Sequence, residues 1–472
     1  MGTFVAIIIG LKITHEASIT LILRPNANLE TYAMTKTAHG AGALLLLCVL
    51  TLIFSPVARF PSVWILLSVS AVVFVATVLR AVVTERASES GRVGVLRHIG
   101  ALGWVALPAG AGLLGSLVLS VYPWQGTMVL AEFAGALVVG LTVAILAQGA
   151  ASQGVITQQG SQQEVATLEG SNAGVWLRYG IASCCVVAGL GALWLICTPK
   201  HSTMVVTWLN SVENMNYWGF AFSLLICCSI AVVLSGLSNR GRILTLLSAA
   251  ALFTWLSLSY PSRGALLAAL CSITLLVLLR FTRLPLKWLF AGTAGTFIFA
   301  CAATFIIQSA GWMSYNALNT LSSRRLPIYD TTWALWQQAP WFGWGLDAYT
   351  THGAVEVAKH MGGLFFPAPH NILLEMLYSL GVVGSALVLA TLGRVLWMAM
   401  RAARTKKNPF AGLLATAIIT TLVLHGATDL SIYRPYFFLL VFAAWGLVQG
   451  STPHLQSPQR QAGGSKGGAI KH

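Results

Sequence analysis

Runs of about 20 predominantly apolar residues recur along this chain, each long enough to cross the hydrocarbon core of a bilayer as a helix. Roughly twelve stretches qualify: 38–58, 62–83, 99–121, 126–148, 175–197, 217–238, 243–261, 264–282, 288–310, 371–397, 411–428 and 434–450. In lipid every backbone N–H and C=O has to be satisfied within the protein, which leaves helices or closed barrels. Runs this long select helices. Composition agrees: of 472 residues 56% are hydrophobic and only 9% charged, against about 25% charged in an average soluble domain. Mean hydropathy is +0.76. A soluble globule, a disordered chain and a disulfide scaffold are excluded. The expected fold is all-α, a polytopic membrane protein of about twelve transmembrane helices. Residues 1–472 read as a single membrane domain, with 311–370 as its one large loop region. The apolar pieces before residue 38 are too short to span alone and suit an interfacial helix, and Phe4 to Leu11 lacks the basic flank of a signal peptide.

The net charge of +15 does not point to nucleic acid. Lys and Arg concentrate in cytoplasmic loops, where they hold topology. Arg240 and Arg242, then Arg280, Arg283 and Lys287, then Arg401, Arg404, Lys406 and Lys407 fall on alternate loops, and the tail adds Arg460, Lys466 and Lys471. That places these loops and both termini in the cytoplasm. Loop 149–174 has no Lys or Arg and carries Glu164 and Glu169, so helix count alone sets its side. All eight cysteines lie in apolar runs without metal-ligand spacing; they read as small hydrophobes.

The outer face is the informative one. Arg59, Lys200, Arg263, Arg324, Arg325, Lys359 and Arg434 stand there against the topological bias. The outer loop 311–370 also holds five tryptophans and His352, His360 and His370. Arg263, in Pro261-Ser262-Arg263-Gly264, is either an interfacial anchor that snorkels to the headgroups or a clamp on pyrophosphate, whose oxygens suit a guanidinium fork. Arg324 and Arg325 are either solvated loop charges or part of an anion site. His370, in Pro369-His370-Asn371, is either a helix cap or a proton acceptor. Trp333 and Trp336 share a helix face at their spacing and either pack the loop or stack on sugar rings. His352 and His360 read against a metal site. The outer carboxylates Glu213, Asp330, Asp347, Glu356 and Asp429 include no D-x-D pair. Within the spans Glu132 and Glu375 are the clear acids, fewer than a proton-coupled transporter usually carries.

Three segments together resemble the O-antigen ligase and O-antigen polymerase superfamily of membrane glycosyltransferases. They are Ser262-Arg263-Gly264; Arg325 with Ile328-Tyr329, Trp333 and Pro340-Trp341-Phe342-Gly343-Trp344-Gly345; and Pro369-His370-Asn371-Ile372-Leu373-Leu374-Glu375 with Gly381-Val382-Val383-Gly384. A weaker match is His425-Gly426 with Asp429. The resemblance covers roughly residues 215–450, and the ordered set carries it rather than any one motif. It implies a bacterial inner-membrane enzyme whose donor is an undecaprenyl pyrophosphate-linked glycan, presented at the periplasmic face among membrane lipids. It implies His370 as catalytic base, and Arg263 with Arg325, or its neighbour Arg324, as the pyrophosphate-binding residues. No cofactor, metal or nucleic acid is expected, because the arginines can neutralise the leaving group. The first expectation is an O-antigen ligase using lipid A–core as acceptor and inverting at the anomeric carbon. A polymerase or a protein O-oligosaccharyltransferase of the same superfamily fits the same motifs. A transporter or flippase fits the span count, and a structural scaffold fits the outer arginines poorly.

Overall fold

The computed structural model describes residues 89–120, 123–153, 172–212, 215–259, 262–405, 409–429, 432, 434 and 436–451. The stretches 38–58 and 62–83, the pieces before residue 38, Lys406, Lys407 and the basic tail lie outside the described residues, as does most of the loop 149–174. The described part is all-helical. In chain order the helices are α1 (Glu89–Val118), α2 (Pro123–Gln153), α3 (Asn172–Cys197), α4 (Pro199–Val212), α5 (Met215–Ser235), α6 (Asn239–Ser259) and α7 (Arg263–Phe281). They continue as α8 (Leu286–Ser309), α9 (Tyr315–Leu321), α10 (Leu326–Trp336), α11 (Ala354–His360), α12 (Ile372–Ala403), α13 (Pro409–Gly426) and α14 (Tyr436–Ser451).

Each apolar stretch read within these residues is a helix. Among the described residues nine are long and apolar enough to cross a membrane, and the chain is a multi-pass membrane protein. α14 is apolar but only 16 residues long, about 24 Å of helix. The amphipathic α4 joins α3 to α5 and leaves Met204 and Trp208 exposed.

α13 is the axis of the bundle. It packs on α5, α7, α12 and α14, while α14 lies along α2, α1 against α12 and α3 against α6. α12 is broken at Gly381 (φ 63°, ψ −172°), a conformation that L side chains rarely adopt. Helix breaks within a membrane are tolerated where neighbouring groups satisfy the freed backbone. Here the Pro340–Gly345 segment does so. Trp344 N and Gly345 N donate to the carbonyls of Tyr378 and Ser379 at 2.9 and 3.0 Å, and Val382 N and Val383 N donate to those of Pro340 and Trp341 at 2.9 and 3.1 Å. A side chain at Gly381 would overlap the Trp341 backbone. The P-x-x-G-x-G stretch and the G-x-x-G stretch, which are separate in sequence, are thus two halves of one joint.

The loop 311–370 is folded. Leu318, Leu326, Ile328, Tyr329, Leu335, Tyr349 and Val357 form a second apolar core that closes on Leu374 and Tyr378 of α12. Trp333 and Trp336 meet at 4.5 Å between ring centroids, as their spacing predicts. Trp336 Nε1 donates to Pro340 O and Trp344 Nε1 to Leu335 O. Trp336 and Trp344 pack within the loop, while Trp333 and Trp341 remain exposed.

Candidate active site

A cleft of about 190 Å³ opens at one end of the bundle, where α5, α7 and α10 begin and α9 and α13 end. Its wall combines Asn216, Ser262, Arg263 and Gly264 with Ala300 and Thr304 of α8. Leu321, Ser322, Ser323, Arg325 and Tyr329 close a second side, and Asn371, Ala427, Thr428 and Asp429 a third. Arg263 is the first residue of α7 and is exposed. Gly264 follows because α7 presses against the segment after α13: a Cβ there would collide with the Thr428 side chain.

Arg324 and Arg325 separate at the turn before α10. Ser323 and Arg324 both have left-handed backbones, with φ of 59° and 62°. Arg324 is exposed and absent from the cleft wall, while Arg325 faces the cleft. Arg325 Nη2 lies 3.2 Å from Asp429 Oδ2, and its Nη1 donates to the carbonyl of Thr428.

Asp429 is 7% exposed and holds a second partner: its Oδ1 is 2.5 Å from His370 Nδ1. Burial pushes the Asp429 carboxyl up. The His370 hydrogen bond and the Arg325 charge together outweigh this and hold it below the ordinary carboxylate range. Each carboxylate oxygen therefore serves one of the two candidate side chains. His370 is not itself in the cleft wall; it stands across Asp429 from Arg325, with Phe366 edge-on to its ring.

The capping role open to His370 belongs to its neighbour. Asn371 Oδ1 accepts from Leu373 N and Leu374 N at 3.1 Å each, and its Nδ2 donates to Cys301 O on α8. His370 has φ of 56°, which for a non-glycine residue costs about 1 kcal/mol or more. Strain of this kind persists where surrounding contacts over-determine it, and here the Asn371 cap and the Asp429 bond do so.

Residues 246–389 match the family model described as O-antigen ligase.

The match supports the O-antigen ligase superfamily for this segment. The matched segment contains Arg263, Arg324, Arg325 and His370, and stops before Asp429. It supports a glycosyltransferase-type activity in a multi-pass membrane protein. No curated protein matches the chain.

Sequence reading singled out Arg263, Arg325 and His370 as candidates but assigned no role to Asp429. The available signal was a carboxylate just past a span in an outer region poor in acids. The weak His425 match behaves differently. His425 is fully buried against Phe220, both ring nitrogens lack a hydrogen-bond partner, and it does not reach the cleft. His352 bonds Tyr378 OH at 2.7 Å and Glu356 pairs with Lys359 at 2.6 Å, although Glu356 stands midway between His352 and His360. Among the described residues no three of His, Cys, Asp and Glu form a group that could hold a metal ion.

Proposed function

We propose that this chain is an O-antigen ligase that moves a glycan from undecaprenyl pyrophosphate to lipid A–core at the periplasmic face of the bacterial inner membrane. The observation that carries this reading is Asp429 bonded at once to His370 and Arg325, beside a cleft that also holds Arg263. A carboxylate accepting at Nδ1 selects the neutral His370 tautomer with its proton on Nδ1. Nε2 then has a free lone pair. In this mechanism Nε2 takes the proton of the acceptor hydroxyl. The hydroxyl oxygen forms its bond to the anomeric carbon as the bond from that carbon to pyrophosphate breaks, with inversion. The bond's electron pair leaves on the phosphate oxygen, whose charge Arg263 and Arg325 stabilise. The polyprenyl chain lies among the spans, facing membrane lipid. The arginines make a metal unnecessary in this scheme, and residues 1–472 act as one membrane domain.

The cleft end of the bundle is proposed as periplasmic and both termini as cytoplasmic. Support comes from Arg280, Arg283, Arg401 and Arg404, which stand at the opposite end. Purified protein, a lipid-linked glycan and each acceptor in turn form the test, with and without EDTA. Transfer to lipid A–core that survives EDTA is the expected result. Transfer only to a second lipid-linked repeat makes the chain a polymerase, and transfer only to a Ser or Thr peptide makes it a protein transferase. Loss with EDTA that Mg²⁺ restores overturns the metal-free scheme.

A further inference from the structure

We infer that Glu375 is a positioning residue for the His370–Asp429–Arg325 assembly, fastening the segment after α13 to the first turn of α12. The inference rests on the glycosyl-transfer reading above. Glu375 is 1% exposed inside an apolar span. An acid there is expensive and calls for a reason. Its Oε2 accepts the backbone N–H of Ile432 at 2.8 Å, and Ile432 is itself 1% exposed.

The segment that supplies Asp429 is held near its start by the turn that closes α13, where Thr428 N and Asp429 N donate to His425 O at 3.0 and 3.1 Å. That turn fixes only one end. The Glu375–Ile432 bond fixes the other, three residues beyond Asp429. On the α12 side, Glu375 follows His370 by five residues, with the Asn371 cap between them. The start of α12 and the segment after α13 are thus tied twice, by His370–Asp429 and by Glu375–Ile432. Asp429 divides its two oxygens between a base and a cation, so a displacement of about 1 Å spoils both contacts together.

Accepting an N–H requires an oxygen, not a charge. That makes the role separable from any use of Glu375 as an acid or an ion. The test uses the full chain in detergent, with initial rates of transfer from a lipid-linked glycan to lipid A–core for native protein, E375Q, E375A, D429N and E375A/D429N. Thermal unfolding is measured on each. E375Q keeps the acceptor oxygen and retains activity within about threefold. E375A loses about 10–100-fold in kcat. E375A/D429N is no worse than D429N within about threefold, because Glu375 acts through Asp429. Native rates in E375A overturn the role. So does E375Q that unfolds like native protein yet is as inactive as E375A, or a double variant whose losses multiply. If E375A fails to accumulate, E375Q alone decides by the same criteria. Native protein without transfer overturns the functional reading and this role with it, whereas active native protein with an unaffected E375A removes this role alone.

Discussion

α13 and α8 are both apolar helices of similar hydropathy, 1.6 and 1.8, yet α13 is buried along 94% of its span and α8 along 11%. α13 is enclosed by four helices, while Ile298 and Phe299 of α8 face outward. Hydropathy reports that a residue avoids water; it does not distinguish protein from lipid as the alternative. The difference bears on the proposed function because the segment leaving α13 carries Asp429. A carboxylate that must meet His370 and Arg325 together needs a rigid support, and the most enclosed helix supplies it. α8 contributes Ala300 and Thr304 to the cleft wall and the Cys301 carbonyl that holds Asn371. Among the described residues its outward face is uncovered.

The sharpest way to break this comparison is at the end of α13. His370→Ala should reduce transfer by about 10²–10⁴-fold, the usual range for loss of a general base, with normal accumulation of protein. Asp429→Asn should lose nearly as much, because the uncharged amide has one acceptor oxygen and cannot accept from His370 and Arg325 at once. Initial-rate assays check both, and near-native rates in either would detach the chemistry from the α13 end.

Next in size are the arginines. Arg325→Ala should lower donor use by about 10²-fold, and Arg325→Lys should recover only part of it, since an ammonium cannot form the planar fork. Arg324→Ala should stay within about threefold, a change under ~1 kcal/mol. Titrating the lipid-linked donor against each variant measures this. Equal losses at 324 and 325 would contradict the separation of their side chains.

A smaller effect sharpens the helix comparison itself. Leu422→Ala in α13 should cost about 2–5 kcal/mol of stability, as truncation of a buried leucine does. Phe299→Leu in α8 should stay within about 0.5 kcal/mol. Thermal unfolding in detergent checks the pair. Equal costs would mean that α8 is buried by a partner.

The smallest effect is that of pH. Asp429 is held below the ordinary carboxylate range, so the stability it contributes is complete above that range and is lost as pH falls through its own lower value. Native protein should therefore exceed Asp429→Asn in unfolding temperature at neutral pH, with the gap closing only below the ordinary carboxylate range. A gap independent of pH would show that the charge of Asp429 contributes nothing.

Much of this molecule is written locally. Ten apolar runs within the described residues became helices because about 20 consecutive side chains suffice to encode a span. Trp333 and Trp336 meet because a three-residue spacing places them on one helix face. The candidates for the proposed site also come from residue type, since Arg263, Arg325 and His370 stand out as charge or base chemistry on loops read as outer. What the sequence left open were relations between distant positions. His370 and Asp429 are 59 residues apart, and no periodicity links them. The separation of Arg325 from Arg324 follows a turn with two left-handed non-glycine residues, Ser323 and Arg324, which no sequence pattern marks. The glycines at 343 and 381 belong to one joint only once α12 breaks against the loop. Hydropathy and capping act within a helical turn or a span, whereas burial of a carboxylate between two partners depends on how the whole bundle closes. That closure is set by the tertiary structure alone.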